Sequence, residues 1–144
     1  MKKIIITILI AIIVGIGLGI YSYQKFYEED AIPTNKSFKE VYAIQVGVFD
    51  SIDNANIMAR KYNGIVVLDN QKYRVYIAII SNSLNIIKNY YDEKGISYYV
   101  RNIEVNDNFY NTLSDYETLL QAASKESFDD IIKNILREYE NLNL

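Results

Sequence analysis

The chain has 144 residues and a formal net charge of −3, a length that suits one globular domain with appendages rather than two full domains. It contains no Cys and no His, which excludes disulfides, thiolate metal sites, a cysteine nucleophile and the commonest general base. Trp is absent and Tyr occurs fourteen times, so any aromatic binding surface is built from Tyr and Phe.

Met1-Lys2-Lys3 precedes an uncharged run from Ile4 to Tyr23. As a helix this run is about 30 Å long, enough to span a bilayer core. Lysines before it and Glu28-Glu29-Asp30 after it orient the N-terminus towards the cytoplasm under the positive-inside rule. No Ala-x-Ala-like cleavage site follows the apolar run, which favours an uncleaved anchor over a signal peptide. The expectation is one transmembrane helix within residues 1–23, contacting the lipid bilayer through residues 4–23. Residues 24–40 hold the only proline, Pro33, and no sustained periodicity, so they read as a linker.

The pattern then changes. Val41 to Phe49 alternates, with Ile44, Val46 and Val48 on one face of a strand and Ala43, Gln45, Gly47 and Phe49 on the other. An unpaired buried amide costs about 1–3 kcal/mol, so the face carrying Gln45 is expected to be open. Asp50 to Asp53 offers helix caps, and the helix that follows carries Ala55, Met58, Ala59 and Tyr62 on one stripe. Asn63-Gly64 is a left-handed stop. The apolar run Ile65 to Leu68 reads as a second strand. Lys72 to Ile80 is the third, with Tyr73, Val75, Ile77 and Ile79 on one face and Arg74, Tyr76 and Ala78 on the other. A second helix carries Ile86, Ile87, Tyr90 and Tyr91 inward and stops at Gly95, before a last strand from about Ser97 to Glu104.

Tyr42 to Gly64 and Tyr73 to Gly95 are both spans of 22 positions, each reading strand, helix, glycine stop. Two such halves give β-α-β-β-α-β. The fold class is therefore α+β, a ferredoxin-like, RNP-like sandwich over residues 41–105 with one open sheet face. Residues 106–144 hold eight acids against three bases and form two amphipathic helices. One stripe is Phe109, Leu113, Tyr116, Leu120 and Ala123, and the other runs from Phe128 to Tyr139. Such a hairpin either packs on its own domain or forms a partner-binding or dimerising surface, and the sequence leaves both open.

Tyr42-Ala43-Ile44-Gln45-Val46-Gly47-Val48-Phe49, followed by Asn54-Ala55 and Tyr73-Arg74-Val75, resembles the SPOR (sporulation-related repeat) domain family over about sixty-five residues. The resemblance implies a membrane-anchored module that binds peptidoglycan glycan strands stripped of stem peptides at division or sporulation septa, with division or sporulation proteins as further partners. It implies a bacterial cell-membrane location with the domain outside the cell. It carries over glycan-binding roles for Gln45, Gly47, Phe49 and Arg74, and Tyr76 would join them on the open face as a flat ring for a sugar. Arg74 or Arg101 would pair with a lactyl carboxylate. Two departures stand out: the third strand runs Arg74-Val75-Tyr76-Ile77-Ala78-Ile79 where the family commonly has Gly-Pro near its end, and the acidic hairpin lies outside the family pattern.

Each residue also has a plainer reading. Gln45 can hydrogen-bond a loop, Arg74 can be a solvated charge paired with an acid, and Tyr76 can pack across strands. Tyr98 and Tyr99 read as structural. No spacing of Asp50, Asp53 or Glu104 argues for glycan cleavage, so no catalysis, metal or cofactor is expected. The β-α-β-β-α-β plan also serves RNA-binding domains, but no basic field surrounds the outward aromatics here, so nucleic acid is not expected as a partner. The alternative is a ferredoxin-like protein-interaction subunit of an extracytoplasmic division, sporulation or pilus assembly.

Overall fold

The structure, a computed structural model, describes residues 37–142; the expected membrane anchor and most of the linker lie outside them. Among the described residues no helix is long and apolar enough to cross a membrane.

Four strands and two helices alternate as β1 (Phe38–Phe49), α1 (Ile52–Tyr62), β2 (Ile65–Asp69), β3 (Lys72–Ile80), α2 (Leu84–Glu93) and β4 (Tyr99–Asn106). The sheet order is β2-β3-β1-β4, and every neighbouring pair is antiparallel. This is the expected β-α-β-β-α-β plan, with β1 starting at Phe38 rather than Val41. Its turns follow the local chemistry. Asn63 caps α1 in the left-handed region at φ 54°, and Asn70 and Gln71 take φ 50° and 63° in the β2–β3 hairpin, where positive φ at both central residues matches the strand twist.

Helices α3 (Asp107–Ala122) and α4 (Phe128–Leu142) follow, joined through a 3-10 turn at Lys125–Ser127. Asn106 caps α3 by accepting from the Phe109 amide at 2.8 Å. The hairpin packs on its own domain. Leu113, Leu120, Ile132, Ile135 and Leu136 are buried in one cluster with Val41, Ile77, Ile79 and Ile87, and the rings of Phe109 and Tyr139 meet edge-on at 5.4 Å between centroids. Of the two roles the sequence left open for the hairpin, the structure takes the first.

Two irregularities in the central strand pair decide which side chains share a face. Ile44 pairs with Ala78 and Gln45 with Tyr76, which leaves Ile77 unopposed; Gln45 pairs with Tyr76 and Gly47 with Val75, which leaves Val46 unopposed. Each unopposed residue is a bulge, and side chains beyond a bulge change face. Gln45 therefore shares its face with Arg74 and Tyr76, whereas Gly47 and Phe49 turn to the other side with Val75 and Tyr73. The expectation that Gln45, Gly47 and Phe49 stand in one row is corrected here: strict alternation assumes an unbroken ladder, and Val46 breaks it. Phe49 packs instead in a small second core with Ala55, Ala59 and Val75 beneath α1.

Candidate functional site

The face shared by Gln45, Arg74 and Tyr76 also carries Tyr99 and Arg101, because Gln45 pairs with Tyr99 and Ala43 with Arg101 across β1 and β4. Asp69 joins them from the end of β2. Arg74 Nη1 donates to Gln45 Oε1 at 3.2 Å, and Arg74 Nε donates to Asp69 Oδ2 at 2.7 Å. Arg101 Nη2 donates to the same oxygen, also at 2.7 Å. One carboxylate thus holds two guanidiniums that would otherwise repel, and the cluster keeps one net positive charge. Arg101 Nε is buried without a hydrogen-bond partner among the described residues.

This face is not open along its whole length. Tyr76 is 2% exposed and Gln45 8% exposed. Tyr139 of α4 lines one cleft of about 350 Å³ with Tyr76, Asp69 and Arg101. The fully open face expected from alternation is corrected accordingly: α3 and α4 bring their own apolar stripes, and burying them on the sheet offsets the cost of covering its polar residues. Burial pushes the pKa of the Tyr76 hydroxyl up, against the opposing pull of Arg101 and Arg74. Tyr76 is therefore part of the core rather than a ring offered to solvent.

What stays accessible is the strip towards the far end of β1. Tyr99 is 67% exposed and Val48 43% exposed, and Val48 pairs with Arg74 on this face. Gln45 Nε2 donates to no described residue. An exposed ring, an amide N–H and two half-buried guanidiniums therefore lie side by side. Such a set can stack on the apolar face of a sugar, donate to hydroxyl or acetamido groups, and pair with a carboxylate.

The sequence reading named Gln45, Arg74 and Tyr76, which the structure does bring together, and Gly47 and Phe49, which it places on the α1 side. A Cβ on Gly47 would lie 2.5 Å from the Phe49 ring, so this glycine seats that ring against the strand. Tyr99 and Asp69 were missed as site residues. The signal for Tyr99 was its register against Gln45, which needs the β1–β4 pairing. Asp69 sat in a hairpin link that alternation does not describe. Among the described residues no cluster of carboxylates that could hold a metal ion is present.

No family model matches the chain, and no curated protein matches it. Among solved structures it is similar to the solution structure of the peptidoglycan binding domain of the B. subtilis cell wall lytic enzyme CwlC. Identity is 23%, coverage is 50% of this chain and 98% of that chain, and the TM-score is 0.38. At that identity and TM-score the likeness fixes neither the fold nor the role of this chain.

Proposed function

We propose that this chain is a non-catalytic cell-wall module that binds peptidoglycan glycan strands, held to the bacterial membrane by residues 4–23 and working at division or sporulation septa. The observation that carries the reading is the Gln45–Arg74 hydrogen bond beside the exposed ring of Tyr99. The residues of the sequence resemblance that fall on this face are joined there and flanked by a sugar-stacking group. A glycan laid along the strip would rest on Tyr99, receive hydrogen bonds from Gln45 and present its lactyl carboxylates to Arg74 and Arg101. A strand without stem peptides suits it, because Tyr139 of α4 lines the cleft beside Tyr76 and Arg101 and narrows the room for branches. In this reading Gly47 and Phe49 act by shaping the bulged strand that presents Gln45, and Tyr76 by packing opposite it on β3.

The test is co-sedimentation of the full-length chain in detergent with purified sacculi, before and after amidase removal of the stem peptides. Stronger binding to stripped sacculi, lost in Tyr99→Ala and in Arg74→Gln, is the expected result. Absence of binding to both kinds of sacculi would favour the protein-interaction alternative.

A further inference from the structure

The edge of the sheet formed by β2 is built unlike a protected edge. Among the described residues no strand flanks β2 on its outer side. All five of its residues pair with β3 in unbroken register, and its sequence, Ile65 to Asp69, holds no proline or lysine. Natural proteins usually blunt such an edge with shortness, a bulge, a proline, an inward charge or a covering element; β2 is short and its one charge, Asp69, stands at its very end, so Ile65 to Leu68 carries no charge, proline or bulge. Here it borders a groove of about 790 Å³, with α1 on one side and α4 on the other. Its apolar floor includes Val66, Leu68 and Ile52, and Leu68 is 64% exposed. Gly64, at the start of the strand, has no room for a side chain, since a Cβ there would lie 2.5 Å from the Tyr76 carbonyl oxygen.

The groove's charges are what select an occupant. Arg60 from α1 and Lys133 and Arg137 from α4 line it, against a single acid, Glu140. None of these three cations makes an ion pair among the described residues, nor do Lys39, Lys61 and Lys88, none of which lines the groove. In a chain of net charge −3, Arg60, Lys133 and Arg137 gather on both walls of one groove over a strand edge that no described strand pairs. We propose that this groove docks an acidic polypeptide segment of a partner in extended form, added to β2 as a fifth strand. Backbone hydrogen bonds to β2 would supply affinity. Side chains of the added strand alternate between the α1 and α4 walls, and there carboxylates would meet Arg60 on one side and Lys133 and Arg137 on the other. This surface is separate from the Tyr99 strip and does not depend on the glycan reading.

The probe is a fluorescein-labelled peptide of repeating glutamate-glutamate-valine-valine, which puts carboxylates on both faces of an extended strand; it is a little longer than β2 and is titrated by anisotropy with the full-length chain in detergent. Two control peptides accompany it: one with lysine in place of glutamate, and one N-methylated at every backbone nitrogen, so that neither edge can donate to a sheet. Saturable binding of the acidic peptide is expected, at least about tenfold weaker for the lysine control, for the methylated control and for the double variant Arg60→Glu, Arg137→Glu. Far-ultraviolet circular dichroism of that variant and its sacculus binding should match the unmodified chain, since both substitutions lie away from the Tyr99 strip. No binding of the acidic peptide up to millimolar concentration would overturn the proposal. Equal binding of the methylated peptide would overturn strand addition, and equal binding by the charge-reversed variant would overturn recognition by Arg60 and Arg137.

Discussion

Gln45 and Tyr76 stand opposite each other across β1 and β3, with an unopposed residue on each strand beside them, Val46 on β1 and Ile77 on β3. The two bulges let a strand that is apolar almost throughout carry one buried amide towards Arg74 and, a few residues later, a ring towards α1. Bulges re-aim side chains at functional positions, and this pair separates the polar strip from the core of α1 within one strand.

That geometry separates stability from binding at two tyrosines. Tyr76→Ala would empty a site that is 2% exposed, and removing a buried aromatic costs about 3–5 kcal/mol. Tyr99 is 67% exposed, so Tyr99→Ala should change stability by no more than about 0.5 kcal/mol while sharply lowering retention on stripped sacculi. Urea denaturation and co-sedimentation on the same two variants check this. A Tyr99→Ala protein that still binds would move the site off the strip.

Much of the fold was legible in the sequence because its signals were local. Asn63-Gly64 and Gly95 stop helices where the backbone turns left-handed, and the stripes of α1 and α2 bury Ala55, Ala59, Ile87, Tyr90 and Tyr91 as their spacing requires. The grouping of side chains at the site was less legible. Gly47 within the alternating run Ile44 to Val48 is a residue type that often marks a bulge, but it does not say which pairing is skipped, and one skipped pairing reverses every later side chain. The coverage of Tyr76 was equally hidden, since the amphipathic stripe of α4 shows that it must be buried but not against which face.

Glu117 offers a test of how the hairpin is fastened. It is 2% exposed and lies on α3, and its carboxylate accepts from the backbone amides of Ser81, Asn82 and Ser83 and from the Ser83 hydroxyl. Those amides precede α2, so a residue distant in sequence does the work of a helix cap and places a negative charge at the positive end of the helix dipole. Glu117→Ala strands the amide and hydroxyl of buried Ser83 and frees the partly buried amides of Ser81 and Asn82, and a buried donor costs about 1–3 kcal/mol when left unpaired. A total loss of about 2–4 kcal/mol is expected, with Glu117→Gln losing less because its amide oxygen still accepts. Equal loss in the two variants would show that packing, and not the acceptor, matters there.

The glycines should rank by what surrounds them. A Cβ on Gly64 would meet the Tyr76 carbonyl oxygen at 2.5 Å, and a backbone atom in the sheet has little freedom to give. Gly95 has φ +68° but nothing within 4 Å of the added carbon. Gly95→Ala should therefore cost only the left-handed penalty of about 1–2 kcal/mol, and Gly64→Ala should cost more, because overpacking forces the strand to shift. Thermal melts of the two variants decide the order.

The junction of α2 with α4 predicts a dependence on acid. Lys94 pairs with Asp129 at 2.9 Å, and its ammonium also sits 4.2 Å from the centre of the Tyr90 ring. Burial alone would raise the pKa of the Asp129 carboxyl, but hydrogen bonds from Lys94 and Tyr90 outweigh it and hold the group below its ordinary 3.8. The folded chain thus binds this proton less tightly than the unfolded one. The resulting stability is present above the unfolded pKa and is lost as pH falls through the lower folded value. Asp129 is partly exposed, so after solvent screening the contribution is at most about 1 kcal/mol. Urea midpoints of the unmodified chain and Asp129→Asn should differ near neutral pH, with the variant weaker, and should converge by about pH 2. Lys94→Gln should shrink the difference at neutral pH, because it removes one of the two donors that lower the carboxyl. A gap between the unmodified chain and Asp129→Asn that persists unchanged into strong acid would mean that the side chain contributes through packing and not through its charge.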